Sequence, residues 1–111
     1  MSFVHQTMAA GGWKRFSLAE QLGNVGSEVE RAIRARAAGD KGRFESAFER
    51  ALELLALTIA DDRWAGPRRR EICRTREVVC DALHGDNEYH SSDESLAKYF
   101  LEFAITARMN R

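Results

Sequence analysis

The sequence predicts an all-α protein, an antiparallel up-and-down four-helix bundle preceded by an extended N-terminal arm. Four segments repeat apolar residues at steps of three and four, and no segment alternates with the period of two that a strand requires. The connections between these segments are only about four to seven residues long, which favours antiparallel neighbours. The arm is predicted over residues 1–16 and the bundle, as a single domain, over residues 17–111.

The first helix is predicted over residues 17–38. Ser17 followed by Glu20 has the spacing of a capping box, and Gly39 is a residue type that ends helices. Its apolar stripe consists of Leu18, Leu22, Val25, Val29 and Ile33. Gly23 and Gly26 lie in the middle of this helix, where glycine costs about 1 kcal/mol relative to alanine. We therefore expect these two glycines to form a flank that another segment of backbone approaches closely.

The other three helices are predicted over residues 43–60, 67–84 and 92–108. Pro67 is a favoured first helical residue, and Gly85 follows the end of that helix. Ser91 and Glu94 have the spacing of a second capping box, which places the start of the fourth helix.

Composition excludes several classes of protein. Seventeen basic residues balance seventeen acidic ones, so no net charge draws the whole chain to nucleic acid or membrane. No apolar run approaches the roughly 20 residues of a membrane span, and the N-terminus lacks the order of a signal peptide. Cys73 and Cys80 lie two turns apart on one predicted helix, too far to form a disulfide with each other. We predict a cytoplasmic protein that does not contact membranes.

Motifs for catalysis and cofactors are missing from the sequence. The three histidines, His5, His84 and His90, belong to no Glu-x-x-His pair and to no zinc-ligand spacing. No phosphate-binding or dinucleotide-binding glycine motif is present. The sequence therefore predicts no metal, no cofactor and no catalytic residue, and it favours a binding protein over an enzyme.

Arg76 is unusual because a helical wheel places it about 40° from Ile72, within the apolar face of the third helix. A buried guanidinium needs an acceptor, and the polar residues Gln21, Asn24 and Glu28 of the first helix flank the core. We predict a buried polar cluster of these four residues, with an Arg76–Glu28 ion pair at its centre. The alternative is an arginine that faces a ligand in a cleft between helices.

A basic cluster follows the second helix, since residues 63–76 contain six arginines and one glutamate. The predicted topology brings this cluster to the same end of the bundle as the start of the first helix. We call the resulting surface the basic pole: Trp13, Lys14, Arg15, Arg63, Trp64, Arg68, Arg69 and Arg70. Arginines beside exposed aromatic rings bind phosphates and stack bases, so the pole predicts binding of RNA or DNA. Asp61 and Asp62 support the alternative of a solvated pole that partly neutralises itself.

A second apolar side is present on the fourth helix. Ala97, Leu101 and Ile105 point away from its core stripe, and Leu57 points away from the core face of the second helix. Exposed apolar patches mark contacts between proteins, which predicts a homodimer through the fourth helix. Coverage of the patch by the N-terminal arm is the alternative.

The order of helices, and the stretch "SLAEQLGNVGSEVERA" above all, resembles the small prokaryotic four-helix bundles of the HEPN-like kind and those encoded in ribosomal RNA intervening sequences. Active HEPN ribonucleases share an arginine followed by four to six residues and a histidine. Here seven residues separate Arg76 from His84, a departure that argues against nuclease chemistry. Similar bundles without catalytic residues bind RNA or partner proteins, so the resemblance implies a role in binding.

These observations predict a helical bundle that acts by binding RNA, DNA or a protein partner as a homo-oligomer, with a dimer as the simplest form. One alternative is a degenerate HEPN-type ribonuclease that uses Arg76 and His84. Another is a subunit whose fold is completed by a different chain.

Overall fold

The computed structural model describes residues 12–109, and all regular structure in this range is helical. Four α-helices follow one another: α1 is Leu18–Ala37, α2 is Lys41–Ile59, α3 is Pro67–His84 and α4 is Asp93–Met109. Short 3-10 helices precede α1 at Gly12–Arg15 and separate α2 from α3 at Asp62–Trp64. No strand occurs between residues 12 and 109, so the all-α, four-helix prediction is confirmed.

The end of the predicted N-terminal arm is not extended. Residues 1–11 of the arm lie outside the described part of the chain, and Gly12–Arg15 form a turn of 3-10 helix. Trp13 in this turn is 2% exposed and belongs to the hydrophobic core. A large indole buried so close to α1 requires the chain to fold back at this point, and the compact 3-10 turn achieves this.

Local hydrogen bonds fix where α1 and α2 begin. The predicted capping box at the start of α1 is confirmed, since Ser17 and Glu20 each accept from the other's backbone N–H. α2 begins at Lys41, two residues before the predicted start. The reason is Asp40, whose side chain accepts from the backbone N–H of Arg43 at 3.0 Å and caps the helix at this position.

The capping residues of α4 differ by one position from the predicted pair. Ser92 accepts from the backbone N–H of Ser95, and Ser95 accepts from that of Ser92, both at 3.0 Å. This reciprocal pair replaces the predicted box of Ser91 and Glu94. Ser91 instead exchanges hydrogen bonds with the Asn87 side chain, which closes the preceding loop.

The core lies around α1, which packs along α2 on one side and α4 on the other. α3 rests mainly on α2 and has much less contact with its neighbours. A groove of about 260 Å³ separates α3 from α4, and the Thr75 and Tyr99 hydroxyls are hydrogen-bonded across it at 2.9 Å. Burial raises the pKa of Tyr99. The buried apolar residues of the four helices include Val25, Val29, Ala51, Leu55, Ile72, Val79, Leu96 and Phe100.

The two glycines in the middle of α1 face α4, so the expected close approach of another backbone is confirmed. A Cβ at Gly26 would lie 2.4 Å from the Cβ of Phe100, a separation that cannot exist without movement of one helix. A Cβ at Gly23 would lie 3.3 Å from the Cα of Ala104. Glycine is therefore needed at Gly26 for the present distance between α1 and α4.

Replacing Gly26 with alanine tests this packing. Alanine improves helix propensity by about 1 kcal/mol, but overpacking costs typically 1–3 kcal/mol, so we expect a net loss of roughly 1 kcal/mol. Gly42→Ala is the matched control, because Gly42 is helical and its added Cβ would meet only the Asp40 carboxylate, at 3.8 Å. Urea unfolding should show Gly26→Ala less stable and Gly42→Ala more stable than the wild type. Equal stabilisation of both variants would show that α4 does not constrain Gly26.

Candidate nucleic-acid interface and its buried support

Arg76 is exposed, so the prediction that it lies inside the core is wrong. Thr75 occupies the core face instead, and its hydroxyl is satisfied by the carbonyl of Glu71 at 3.0 Å. Cys73 and Cys80, on the flank of α3 beyond Arg76, are only half-buried. Burial of Thr75 rotates the core face away from Arg76, and a long side chain at the edge of such a face extends into solvent.

The predicted partners of Arg76 on α1 do not form one cluster with it. Asn24 is exposed. Glu28 is buried, but its carboxylate accepts from Arg31 at 2.8 Å and lies 3.7 Å from Arg50 of α2. The predicted Arg76–Glu28 ion pair is therefore wrong, because closer arginines on α1 and α2 occupy that carboxylate.

Gln21 is fully buried, as predicted, but its hydrogen-bond partners are not the predicted ones. Its amide nitrogen donates to the Trp13 carbonyl at 3.0 Å and to the Asp61 carboxylate at 3.1 Å. Its amide oxygen accepts from the Trp64 indole N–H at 2.9 Å. Both donor hydrogens and the acceptor of this amide are thus used within the protein.

Asp61 is a buried carboxylate, 1% exposed, at the end of α2. Besides the Gln21 amide, it accepts from the backbone N–H of Arg63 at 3.1 Å and from the Arg63 guanidinium at 2.7 Å. The hydrogen bonds from Arg63 hold the pKa of this carboxyl well below its usual range, against the opposing effect of burial. Asp61 therefore stays ionised inside the protein.

The same network extends to the N-terminal segment and α2. The Trp13 indole donates to the Thr58 hydroxyl at 3.1 Å, and Thr58 donates to the Leu54 carbonyl at 2.9 Å. Arg63 also donates to the Phe16 carbonyl at 2.8 Å. We call the set Trp13, Gln21, Thr58, Asp61, Arg63 and Trp64 the Asp61 network. It joins four elements: the first 3-10 turn, α1, α2 and the second 3-10 turn.

Half of the predicted basic pole is therefore internal structure and not a binding surface. Trp13 is buried and Trp64 is half-buried, so the prediction of two exposed aromatic rings is wrong. Arg63 is committed to Asp61, and its guanidinium lies 4.5 Å from the centroid of the Trp64 ring. Arg69 donates to the Ile59 carbonyl at 2.9 Å and so caps the end of α2.

The other half of the basic pole faces solvent. Lys14, Arg15, Arg68 and Arg70 are exposed, and none of them forms an ion pair within residues 12–109. The charge balance around them is positive, because residues 12–16 and 61–77 together hold eight cations and four acids. Since the whole chain has no net charge, this end of the molecule is positive relative to the rest.

A groove of about 540 Å³ on α3 adds an aromatic ring that the sequence did not indicate. Tyr89, 51% exposed, lies in the α3–α4 loop and lines the groove with Arg70 and Arg74. The Asp81 carboxylate holds this loop against α3, since it accepts from the backbone N–H groups of Glu88 at 2.8 Å and Tyr89 at 3.0 Å. Only the loop conformation brings Tyr89 to the arginines, so residue spacing gave no signal for it. The groove is lined by Arg69, Arg70, Cys73, Arg74, Glu77 and Tyr89.

The predicted interface residues divide between two surfaces. Leu101 and Ile105 on α4 are exposed, at 51% and 45%, and Ala97 on the same helix is half-buried. Leu57 is half-buried and packs against the core cluster, so it is not part of the α4 surface. The reason is that α2 and α4 lie on different sides of α1.

His84 has a partner of its own at the end of α3. Its Nε2 lies 3.0 Å from the Glu45 carboxylate, and its ring stacks on Phe48 at 4.9 Å between centroids.

Within residues 12–109 no three His, Cys, Asp or Glu side chains are grouped so that they could hold a metal ion. None of the helices in this range combines the length and apolar character that crossing a membrane requires.

Asp61→Asn tests the buried carboxylate. Removing one charge of a buried pair costs typically 3–5 kcal/mol; Arg63 is partly exposed, so we expect about 2–3 kcal/mol here. A lowered folded-state pKa gives stability that is complete above about pH 5 and is lost as pH falls below about 4. Unfolding measured from pH 7 to pH 2 should therefore show a flatter profile for Asp61→Asn than for the wild type. The neighbouring variant Asp62→Asn is the control, because that side chain is almost fully exposed; an equal effect of both variants would contradict this role of Asp61.

Comparisons with protein-family models, with curated proteins and with solved structures find no match to this chain.

Proposed function

We propose that the chain binds single-stranded nucleic acid through α3 and acts as a homo-oligomer. The observation that carries the first part is the groove that Arg70, Arg74 and the exposed Tyr89 line together. Neither arginine forms an ion pair within the described chain, so both guanidinium groups are available to phosphates. The binding surface of this proposal lies on α3 and its following loop.

The chemistry of the groove suits a flexible strand. A guanidinium presents paired N–H donors that match phosphate oxygens, and an exposed aromatic ring stacks on an unpaired base. Arg68 lies in the first turn of α3 and adds a further free cation to the same helix. Glu77 is the one acid that lines the groove, so the lining keeps a positive balance.

The proposal includes an antiparallel bundle as the support for this surface. Three contacts join α1 to α4, and as the residue numbers rise along α1 those of the contacted residues fall along α4. Gly23 faces Ala104, Gly26 faces Phe100, and the last turn of α1 reaches the first turn of α4 through the Arg36–Asp93 ion pair at 2.7 Å. These contacts favour the up-and-down topology that the short connections predict.

The ribonuclease alternative has less support from the geometry. Arg76 and His84 lie eight residues apart on α3, a rise of about 12 Å along the helix axis. His84 is also bound to Glu45. The resemblance to HEPN-like bundles stays a prediction, and the interpretation as a subunit completed by another chain is tested by size in solution.

Titration of a fluorescent single-stranded RNA and of the DNA of the same sequence tests the proposal. If three or four phosphates are contacted, affinity should fall roughly 15- to 50-fold between 50 mM and 200 mM salt. The double variant Arg70→Ala/Arg74→Ala should weaken binding and reduce the slope of log affinity against log salt concentration by about 1.4. Arg34→Ala/Arg43→Ala is the matched control, because it removes the same charge from arginines that have acidic neighbours on α1 and α2.

Tyr89→Ala should weaken the same binding by about 1–3 kcal/mol for one stacked base, whereas Tyr89→Phe should keep it. Equal losses in the two arginine double variants would mean that net charge alone attracts the strand. Binding of an acidic protein without binding of nucleic acid would refute the proposal in favour of a protein partner.

Incubation of purified protein with labelled RNA tests the ribonuclease alternative. We expect the RNA to remain intact, since the two residues required by that alternative lie apart and His84 is engaged by Glu45. Cleavage that is lost in His84→Ala would establish the enzyme instead, with Glu45→Gln reporting on the histidine partner.

A further inference from the structure

The exposed side of α4 carries a stripe of five residues that are spaced symmetrically about the central one, Leu101. It runs Glu94, Ala97, Leu101, Ile105, Arg108, with steps of three, four, four and three residues. At 100° per residue all five positions fall within an arc of about 80° centred on Leu101. Four of the five are exposed and Ala97 is half-buried.

We propose that two copies of the chain associate through this stripe as an antiparallel, two-fold symmetric pair of α4 helices centred on Leu101. In such a pair Leu101 meets the partner's Leu101, and Ala97 meets the partner's Ile105. The small side chain of Ala97 leaves room for the larger one of Ile105. An isologous contact needs a surface that complements itself, and the symmetric spacing provides that register.

The charges at the two ends of the stripe select the antiparallel orientation. Glu94 then lies opposite the partner's Arg108, and the symmetry axis repeats this attractive pair at the other end. In a parallel pair, each acid would face an acid and each arginine an arginine, which is repulsive. A stripe that bound an unrelated partner would not need opposite charges, Glu94 and Arg108, at equal distances on either side of Leu101. The second copy is therefore the occupant that the charge pattern identifies.

The surface beside the stripe also permits close approach. A groove of about 450 Å³ runs between α1 and α4, lined on the α1 side by Gly23, Gly26 and Ser27. The Ser27 hydroxyl donates a hydrogen bond to the Gly23 carbonyl at 3.3 Å, so it needs no acceptor from a second chain. Helices packed at the small crossing angle of about 20° that bundles prefer would keep the whole stripe in contact.

The inference rests on the homo-oligomer part of the proposed function and is independent of its nucleic-acid part. The α4 stripe lies on a different helix from Arg70 and Arg74, which line the groove on α3. Each of the two proposals therefore has its own measurement, and failure of one leaves the other intact.

Cysteine cross-linking tests the register. In a Cys73→Ser/Cys80→Ser background, Leu101→Cys lies on the symmetry axis and should give a disulfide-linked dimer on mild oxidation. Glu102→Cys is the control, since Glu102 is also exposed but lies about 100° away around the helix. A mixture of Ala97→Cys and Ile105→Cys chains should cross-link to each other faster than either does alone. Equal cross-linking of the Leu101 and Glu102 variants would overturn the register.

Charge reversal with mixing tests the orientation without nucleic acid present. Arg108→Glu alone places acid opposite acid at both ends, and Glu94→Arg alone places base opposite base. We expect each variant to dimerise about tenfold more weakly than the wild type in sedimentation equilibrium at low salt, from the loss and reversal of two ion pairs. A one-to-one mixture should dimerise again, because both ends then pair acid with base.

Circular dichroism of each variant keeps the test interpretable. The substitutions of Glu94, Leu101, Glu102, Ile105 and Arg108 are at exposed positions, and the half-buried Ala97, Cys73 and Cys80 receive small replacements, so helix content should remain unchanged. A wild-type chain that sediments as a monomer at 100 µM would overturn the inference and the homo-oligomer part of the proposed function together. A wild-type dimer that is unaffected by Leu101→Asp or by either charge reversal would overturn the inference alone.

Discussion

The buried carboxylate of Asp61 is the interaction on which the arrangement of this protein depends. A charge removed from water is tolerated only when hydrogen bonds and an opposite charge replace the lost hydration. Gln21 and Arg63 supply them, and each group also bonds to the N-terminal segment, through the carbonyls of Trp13 and Phe16. One carboxylate thus ties the turn that follows α2 to the segment through which the chain enters α1.

This arrangement changes the meaning of the arginine-rich segment. Arg63 donates to the Asp61 carboxylate and Arg69 donates to the Ile59 carbonyl at the end of α2, so both are part of the junction between α2 and α3. Once these two are committed, Arg70 and Arg74 remain on the outer side of α3, in the groove that Tyr89 also lines. The internal ion pairs therefore separate the arginines that hold the fold from those that can meet a ligand.

Local patterns predicted the helices well, because capping depends on neighbours in sequence, as it does for Ser17 with Glu20. The glycine flank of α1 was also predicted, since glycine inside a helix indicates a close approach, but the helix that it faces is distant in sequence. The candidate site was harder to predict, since Gln21 and Glu28 were recognised as buried polar groups but their partners come from distant segments. A helical wheel also cannot separate Thr75 from Arg76 when half-buried cysteines extend the apolar arc. Tyr89 depends on a loop conformation that no periodicity encodes.

The groove between α3 and α4 has a consequence for the dynamics of the chain. α1 is enclosed by α2 and α4, whereas α3 is attached mainly to α2. Within residues 12–109, one hydrogen bond joins α3 to α4, between the hydroxyls of Thr75 and Tyr99. Segments with less burial open at a lower free energy than the global unfolding step. The amide protons of α3 should then exchange with solvent before those of α1. α3, the helix with Arg70 and Arg74, would thus open separately from the rest of the bundle. Slower hydrogen exchange of its amides would then show directly that a ligand occupies the groove that these arginines line.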